Sequence, residues 1–384
     1  MLRLVIYADY NATTPCLPAV IEAVRLQLAV AGNPSSRSHA AGRQAADVLA
    51  KARSQVAELL CSEPERIIFT SGATEACNLA IFGVAERLLG SRRRFVHIAT
   101  EHPAVLEPHR RLREAGCDVV SVPVDTQGRV QLEALAQAVD GSTALVSAMA
   151  VNNETGVISD IPAIARLSHA QGALVLCDAT QALGRLSLTS ETWGPDFIAC
   201  SAHKLYGPPG VGALWIRRGL SLEAQLLGGG QERGLRSGSH NLPGIVGFGV
   251  AASAAGRAAA QRHAHLTALT SELETTLRAA MPQLVIHGGQ AVRVPGTSFI
   301  SCPGLPRGWL AQLTDVAASG GSSCSSGTGK PSQVLLAMGV AHADAANAIR
   351  ISLGVPSTSA EVMIIAQSLI DGARRLQGLA PATP

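Results

Sequence analysis

The chain has 384 residues, 47% of them hydrophobic but only 3% aromatic, and a formal net charge of +3 at pH 7. That length suits two domains or one large domain with an appendage, and the core must be built mostly from Ala, Val, Leu and Ile. So small a charge, with no basic stripe, argues against direct nucleic-acid binding. The cluster Arg92-Arg93-Arg94 reads as a solvated turn before a strand. No uninterrupted apolar run reaches about 18 residues, which speaks against a membrane span. The first ten residues lack the charged, apolar, small layout of a signal peptide. The eight cysteines, at 16, 61, 77, 117, 177, 200, 302 and 324, form no C-x-x-C pair, so neither a zinc site nor a disulfide framework is indicated. A cytoplasmic, reducing setting is expected, with most of these thiols acting as small buried hydrophobes.

Along the chain, short apolar runs predict strands at 66–70, 95–99, 119–124, 144–150, 173–177, 197–200 and 211–216. Helical spacing fills the gaps at 75–89, 104–115, 132–139 and 161–171. Such alternation predicts an α/β layer fold with a mostly parallel seven-stranded sheet, and ligands beyond the carboxyl ends of the strands. Residues 245–280 are Ala-rich and read as a helical connector. Beyond them, strands at 284–287, 297–302 and 348–351 mix with helices near 332–338 and 360–377, which predicts a smaller α+β domain. The expected division is a large domain over 14–255 and a small one over 1–13 and 256–384. The first 13 residues would fold back onto the small domain or onto the groove.

Several strand ends carry polar groups. Cys177-Asp178-Ala179-Thr180-Gln181 closes one apolar run and Ser201-Ala202-His203-Lys204 follows another. In neighbouring parallel strands, Asp178 and Lys204 emerge at the same edge. A surface ion pair would share this spacing. An amine and a carboxylate fixed there are also what pyridoxal phosphate requires, one for its aldehyde and one for its ring nitrogen. Thr70-Ser71-Gly72-Ala73-Thr74-Glu75 lies between a strand and a helix, as either an ordinary cap or a phosphate cup, with Ser201 and His203 as further donors. His102 in Thr100-Glu101-His102-Pro103 can stack on a ring or shuttle protons. Asn152-Asn153-Glu154-Thr155-Gly156 is a turn that delivers amides to the same edge. A nucleotide-binding P-loop is excluded at Gly329-Lys330, because Cys324 stands where its first glycine belongs and Pro331 follows the lysine.

The order of these motifs resembles the cysteine desulfurases, in the class V aminotransferase group of pyridoxal-phosphate fold-type I enzymes. The resemblance spans nearly the whole chain. It begins with Asp9-Tyr10-Asn11-Ala12-Thr13-Thr14-Pro15 and Gly32-Asn33-Pro34-Ser35-Ser36, and it ends with Arg236-Ser237-Gly238-Ser239, Cys324 and Ile349-Arg350-Ile351-Ser352. It implies that Lys204 carries the cofactor as a Schiff base and moves the Cα proton. Asp178 would pair with the ring nitrogen, His102 would stack on the ring, and Gln181 would bond its phenolic oxygen, with Asn153 nearby. Ala73, Thr74, Ser201 and His203 would hold the phosphate. Ser239, where the family usually has threonine, would reach the phosphate of a second subunit in a homodimer. Arg350, with Asn33 and Asn153, would hold the substrate's α-carboxylate.

Cys324 sits in Ser319-Gly320-Gly321-Ser322-Ser323-Cys324-Ser325-Ser326-Gly327. That address is unlike the buried setting of most free cysteines. The resemblance gives its thiolate the sulfur of L-cysteine, so that L-alanine leaves and a persulfide stays on Cys324 for an acceptor protein. The serines before Cys324 and the long run after it resemble the iron–sulfur-cluster and nitrogenase branch. Selenocysteine lysis, transamination, or a sulfur-relay partner with a vestigial cofactor site are the alternatives.

Overall fold

The computed structural model describes residues 5–88, 90–186, 189–321 and 330–379; Cys324, with 322–329, lies outside the described residues. From the N-terminus, β1 (Ile6–Tyr7) is followed by helices α1 (Pro18–Leu28) and α2 (Ala40–Leu59). Strands and helices then alternate: β2 (Ile67–Thr70), α3 (Ala73–Leu88), β3 (Arg94–Ile98), α4 (Pro103–Glu114), β4 (Asp118–Val122) and α5 (Leu132–Ala138). Next come β5 (Thr143–Met149), α6 (Ile161–Ala170), β6 (Leu174–Asp178), the single turn α7 (Ser190–Trp193), β7 (Phe197–Ser201) and β8 (Gly212–Ile216).

These strands form a seven-stranded sheet in the order β2-β8-β7-β6-β5-β3-β4. All pairings are parallel except those of β8, which runs antiparallel to both neighbours. The short link 202–211 is the reason: it has no room for the helical crossover that a parallel return needs. Alternation along each strand feeds two cores. Val96, Val146, Val175 and Ile198 face one, and Phe95, Leu145, Leu176 and Phe197 face the other. A sheet covered on both faces explains why these strands read as continuous apolar runs.

After β8 the chain forms α8 (Leu242–Arg257) and α9 (Ala259–Ala280). The connector expected over 245–280 is therefore two helices, bent by 72° at Ala258. No single helix among the described residues is long and apolar enough to cross a membrane. Helix α2 has a core-facing side at helical spacing, but it is built mostly from small residues. The core-facing side of α2 is mostly Gly42, Ala45, Ala52 and Ala57, and a Cβ added at Gly249 of α8 would lie 2.9 Å from Ala52 Cα. Backbone proximity, rather than large side chains, joins α2 to α8.

The remainder is β9 (Val285–Ile286), β10 (Thr297–Ser301), β11 (Val316–Ala317), α10 (Gln333–Ala337), α11 (His342–Ala346), β12 (Ile349–Ser352) and α12 (Ser359–Leu376). Strands β12-β10-β9 form an antiparallel sheet, and β1 pairs in parallel with β11. A separate core joins Leu266, Leu269, Leu273 and Leu277 of α9 to Val362, Ile365 and Leu369 of α12. The start of α12 is set by a capping box between Thr358 and Glu361. The N-terminal segment touches β12 and the turn after β7: Tyr10 N–H donates to Ser352 O, and Thr14 N–H donates to His203 O.

Candidate active site

The carboxyl edge of the large sheet is where the polar groups collect. Across the ladders, Asp178 at the end of β6 stands opposite Met149 of β5 and Ala199 of β7. Asp178 is buried, and its Oδ1 accepts from Thr180 N–H at 2.9 Å. Two residues past Ala199 the chain leaves β7 and turns once over Ala202–Lys204. That turn aims Lys204 into the space above Asp178. Lys204 Nζ donates to Asn11 O at 2.5 Å and to Ala12 O at 2.6 Å. Burial lowers its pKa to about 8; the cations Arg350 and Arg185 add to the fall, and Asp9 and Asp178 oppose it.

His102 is the N-cap of α4, and its Nδ1 accepts from Ala104 N–H at 3.1 Å. A neutral ring held this way carries its proton on Nε2. Burial pushes its pKa down, Asp178 pulls it up and Lys204 lowers it again. His203 Nδ1 shares a hydrogen bond with Thr13 Oγ1 at 3.0 Å, and its pKa falls to about 4 through burial and the Lys204 charge. Both imidazoles are therefore neutral around pH 7.

The expected phosphate cup follows β2. Ser71 N–H donates to Glu75 Oε2 at 2.8 Å, and Arg236 Nε donates to Glu75 Oε1 at 2.7 Å. Burial raises the Glu75 pKa, but Arg236 and Ser71 outweigh it and hold the carboxyl below its ordinary value. A Cβ at Gly72 would make only ordinary contact with Ser201 Oγ, at 3.8 Å, and Ser71, Gly72, Ala73 and Thr74 all line the cavity. On the other side, Arg350 of β12 is 1% exposed. Its Nη1 donates to Asn153 O at 2.9 Å and its Nη2 to Asp9 Oδ1 at 2.7 Å. Arg350 Nε and Gln181 Oε1 are buried without a hydrogen-bond partner among the described residues.

Ala73, Thr74, His102, Asn153, Asp178, Gln181, Ser201, His203, Lys204 and Arg350 all line one cavity of about 360 Å³. Two expected residues stand apart from it. Ser239 is exposed beyond the Arg236–Glu75 pair, and Asn33 is exposed in a turn where its Oδ1 accepts from Ser35 N–H. Cys324 lies outside the described residues.

The sequence pattern of the family described as aminotransferase class-V matches residues 6–365. The chain belongs to that family. It is 40% identical over 386 residues to the cysteine desulfurase IscS of Anaeromyxobacter sp. (strain Fw109-5), a match covering 99% of this chain and 95% of the relative. Among solved structures, it superposes on a NifS-like protein with a TM-score of 0.90, at 36% identity, covering 98% of this chain and all of the other. It also resembles the structure described as SspA in complex with cysteine, with a TM-score of 0.80, 29% identity and coverage of 91% and 99%. Within the class-V aminotransferases the chain thus falls among the cysteine desulfurases, as the motif order led us to expect, and its fold is that of pyridoxal-phosphate fold type I.

For this class-V member, sequence reasoning missed three groups that stand behind the residues lining the cavity. Asp9 pairs with Arg350, Arg185 Nη2 donates to Asn11 Oδ1 at 2.9 Å, and Glu101 lies buried under Asp178. Glu101 Oε1 accepts from Met149 N–H at 2.7 Å, which ties the turn bearing His102 to the end of β5. Burial pushes its pKa well above its ordinary value; the Met149 N–H opposes the rise and the Asp178 charge adds to it. Asp9 and Asn11 lie in a quoted motif, but nothing in their spacing signals partners hundreds of residues away.

Proposed function

We propose that this chain binds pyridoxal phosphate in the cavity and removes the sulfur of L-cysteine, releasing L-alanine and leaving a persulfide on Cys324. The observation that carries the reading is the convergence of Lys204, Asp178, His102 and Arg350 on one cavity. The lining fits the cofactor: an amine of lowered pKa, a buried carboxylate, a neutral imidazole, a small-residue cup at a helix start, and the Gln181 amide, whose Nε2 gives one N–H to Asn11 O and keeps a second to donate.

Bound there, pyridoxal phosphate supplies an electron sink for the substrate's Cα electrons. Lys204 would hold the cofactor's aldehyde carbon and, once displaced, take the Cα proton. At a pKa of about 8, roughly a tenth of the free amine is neutral at pH 7. Asp178 would hold the proton of the ring nitrogen. His102 would lie against the ring with Nε2 free for proton transfer, and Gln181 would bond the phenolic oxygen. Ala73 N–H, Thr74, Ser201 and His203 would hold the phosphate, joined by Ser239 from a second copy of the chain. Arg350, supported by Asn153 and Asn33, would grip the substrate carboxylate. The Cys324 thiolate would then attack the substrate sulfur; the S–S bond forms as C–S breaks, and the carbon fragment takes up protons to become alanine.

The exposed position of Ser239, outside its own cavity, supports the homodimer reading. The cores on the two faces of the large sheet support 14–255 as a large domain and the core of α9 and α12 supports 1–13 and 256–384 as a small one, although Val294, Phe299, Val334, Leu335 and Met338 pack into the large-sheet core. A sulfur-acceptor protein in iron–sulfur cluster assembly fits the name IscS carried by the curated relative, and the unpaired cysteine spacing supports a cytoplasmic setting.

The test is alanine release from L-cysteine. Cys324→Ala should lose alanine release and the persulfide seen by mass spectrometry, while keeping a yellow band near about 420 nm. Alanine formed at the wild-type rate by that variant sinks the reading, and keto-acid formation without Cys324 points to transamination. A second expectation concerns cofactor capture by cofactor-free protein. With Lys204 at about 8, the capture rate should climb about tenfold from pH 7 to 9 and then level off. An amine of ordinary pKa would give a rate still climbing at pH 10, which stopped-flow absorbance distinguishes.

A further inference from the structure

The N-terminal turn enters the cavity between the large sheet and β12, and Asn11 within it has every polar atom engaged. The turn, residues 9–12, is closed by Ala12 N–H donating to Asp9 O at 2.9 Å. Asn11 is 2% exposed. Its Nδ2 donates to Asn153 O at 3.1 Å and to Thr297 Oγ1 at 3.0 Å, and its Oδ1 accepts from Arg185 Nη2 at 2.9 Å. A guanidinium can only donate, so one orientation of the amide satisfies all three contacts. The Asn11 backbone N–H donates to Ser352 Oγ at 2.9 Å, and its carbonyl accepts from Lys204 Nζ and, at 2.9 Å, from Gln181 Nε2.

We propose that Asn11 is a positioning residue of the reaction, whose carboxamide fixes the carbonyl that cradles Lys204 and braces the wall on which Arg350 stands. The kinetic side of this inference rests on the desulfurase reading. An ammonium group has three N–H donors, and Lys204 places two of them on Asn11 O and Ala12 O. These carbonyls favour the free, protonated lysine over any form with fewer donors. On the far side, Asn153 O receives both Asn11 Nδ2 and Arg350 Nη1, so one carboxamide braces the lysine and the carboxylate-binding wall together. Alanine at position 11 keeps the backbone carbonyl but none of the three carboxamide contacts, and aspartate lacks the donor that Asn153 O requires.

The experiment reads Lys204 directly. Cofactor-free wild type and Asn11→Ala are acylated with an amine-selective reagent across pH 6–10, and the Lys204 peptide is followed by mass spectrometry. The other charged groups around Lys204, namely Arg350, Arg185, Asp9, Asp178, His102 and His203, are left in place. Asn11→Ala should shift the midpoint down from about 8 by about half a unit, a threefold change in the proton equilibrium. It should also raise the KM for L-cysteine about tenfold. An unmoved midpoint overturns the proposal. If Asn11→Ala does not fold, Thr297→Val decides instead, because it removes one anchor of the carboxamide at constant shape: a smaller downward shift supports the proposal and no shift overturns it. If wild type releases no alanine, the desulfurase reading fails while the Lys204 midpoint still decides the role of Asn11.

Discussion

Replacement of Lys204 by alanine is expected to lower alanine release by about 10³-fold or more, because one side chain would both hold the cofactor and move the Cα proton. Partial recovery on adding methylamine would show that an amine, and not the fold, was lost. Wild-type release rates in Lys204→Ala would remove Lys204 from the site. A second readout needs no cofactor. The Lys204 pKa falls from 10.5 to about 8 on folding, so between those values the unfolded chain binds more protons than the folded one. Stability of the cofactor-free protein should therefore rise with pH across that window, with the cost of the buried cation fully present below about pH 8. Urea unfolding at pH 7, 8, 9 and 10 should show this slope in wild type, and a flatter one in Lys204→Ala.

Arg350→Ala should combine a binding loss with a stability loss. Arg350 is almost wholly buried and its Nη2 pairs with Asp9 Oδ1 at 2.7 Å, so its removal strands a mostly buried carboxylate. Breaking such a pair costs about 3–5 kcal/mol. The KM for L-cysteine should rise as well, and Arg350→Lys should share that rise because an ammonium cannot offer the planar fork. The double variant Asp9→Asn, Arg350→Ala should recover part of the stability but none of the binding. A double-mutant cycle by urea unfolding and steady-state kinetics separates the two effects. Additive stability losses would show that Asp9 and Arg350 are not coupled.

Strand positions were legible because the inner strands of the large sheet are buried on both faces and read as mostly apolar runs, while the edge strand β4 (Asp118–Val122) is partly exposed and was read from its valines. The helices between β2 and β6 were legible from their apolar period. Helices α1 and α2 were not, since α2 buries Gly and Ala against α8 and leaves no period of large side chains. The bend at Ala258 was hidden too, because Arg257 before it and Ala259 and Ala260 after it are all good helix formers.

Local sequence by itself determined the chemistry on offer: the amine of Lys204, the carboxylate of Asp178, the imidazole of His102, and a small-residue turn at Gly72, each at the end of a strand. Parallel register then brings strand ends together almost automatically, which is why nine expected residues share one cavity, and Arg350 joins them from the antiparallel β12. Only the tertiary structure decided how those groups are tuned. Burial and two arginines bring Lys204 to about 8, Asp9 meets Arg350 from 341 residues away, and Asn11 joins five residues of four segments through one carboxamide and one carbonyl. Contacts of that range leave no period or spacing in a sequence, because desolvation and hydrogen-bond geometry exist only once the chain has closed on itself.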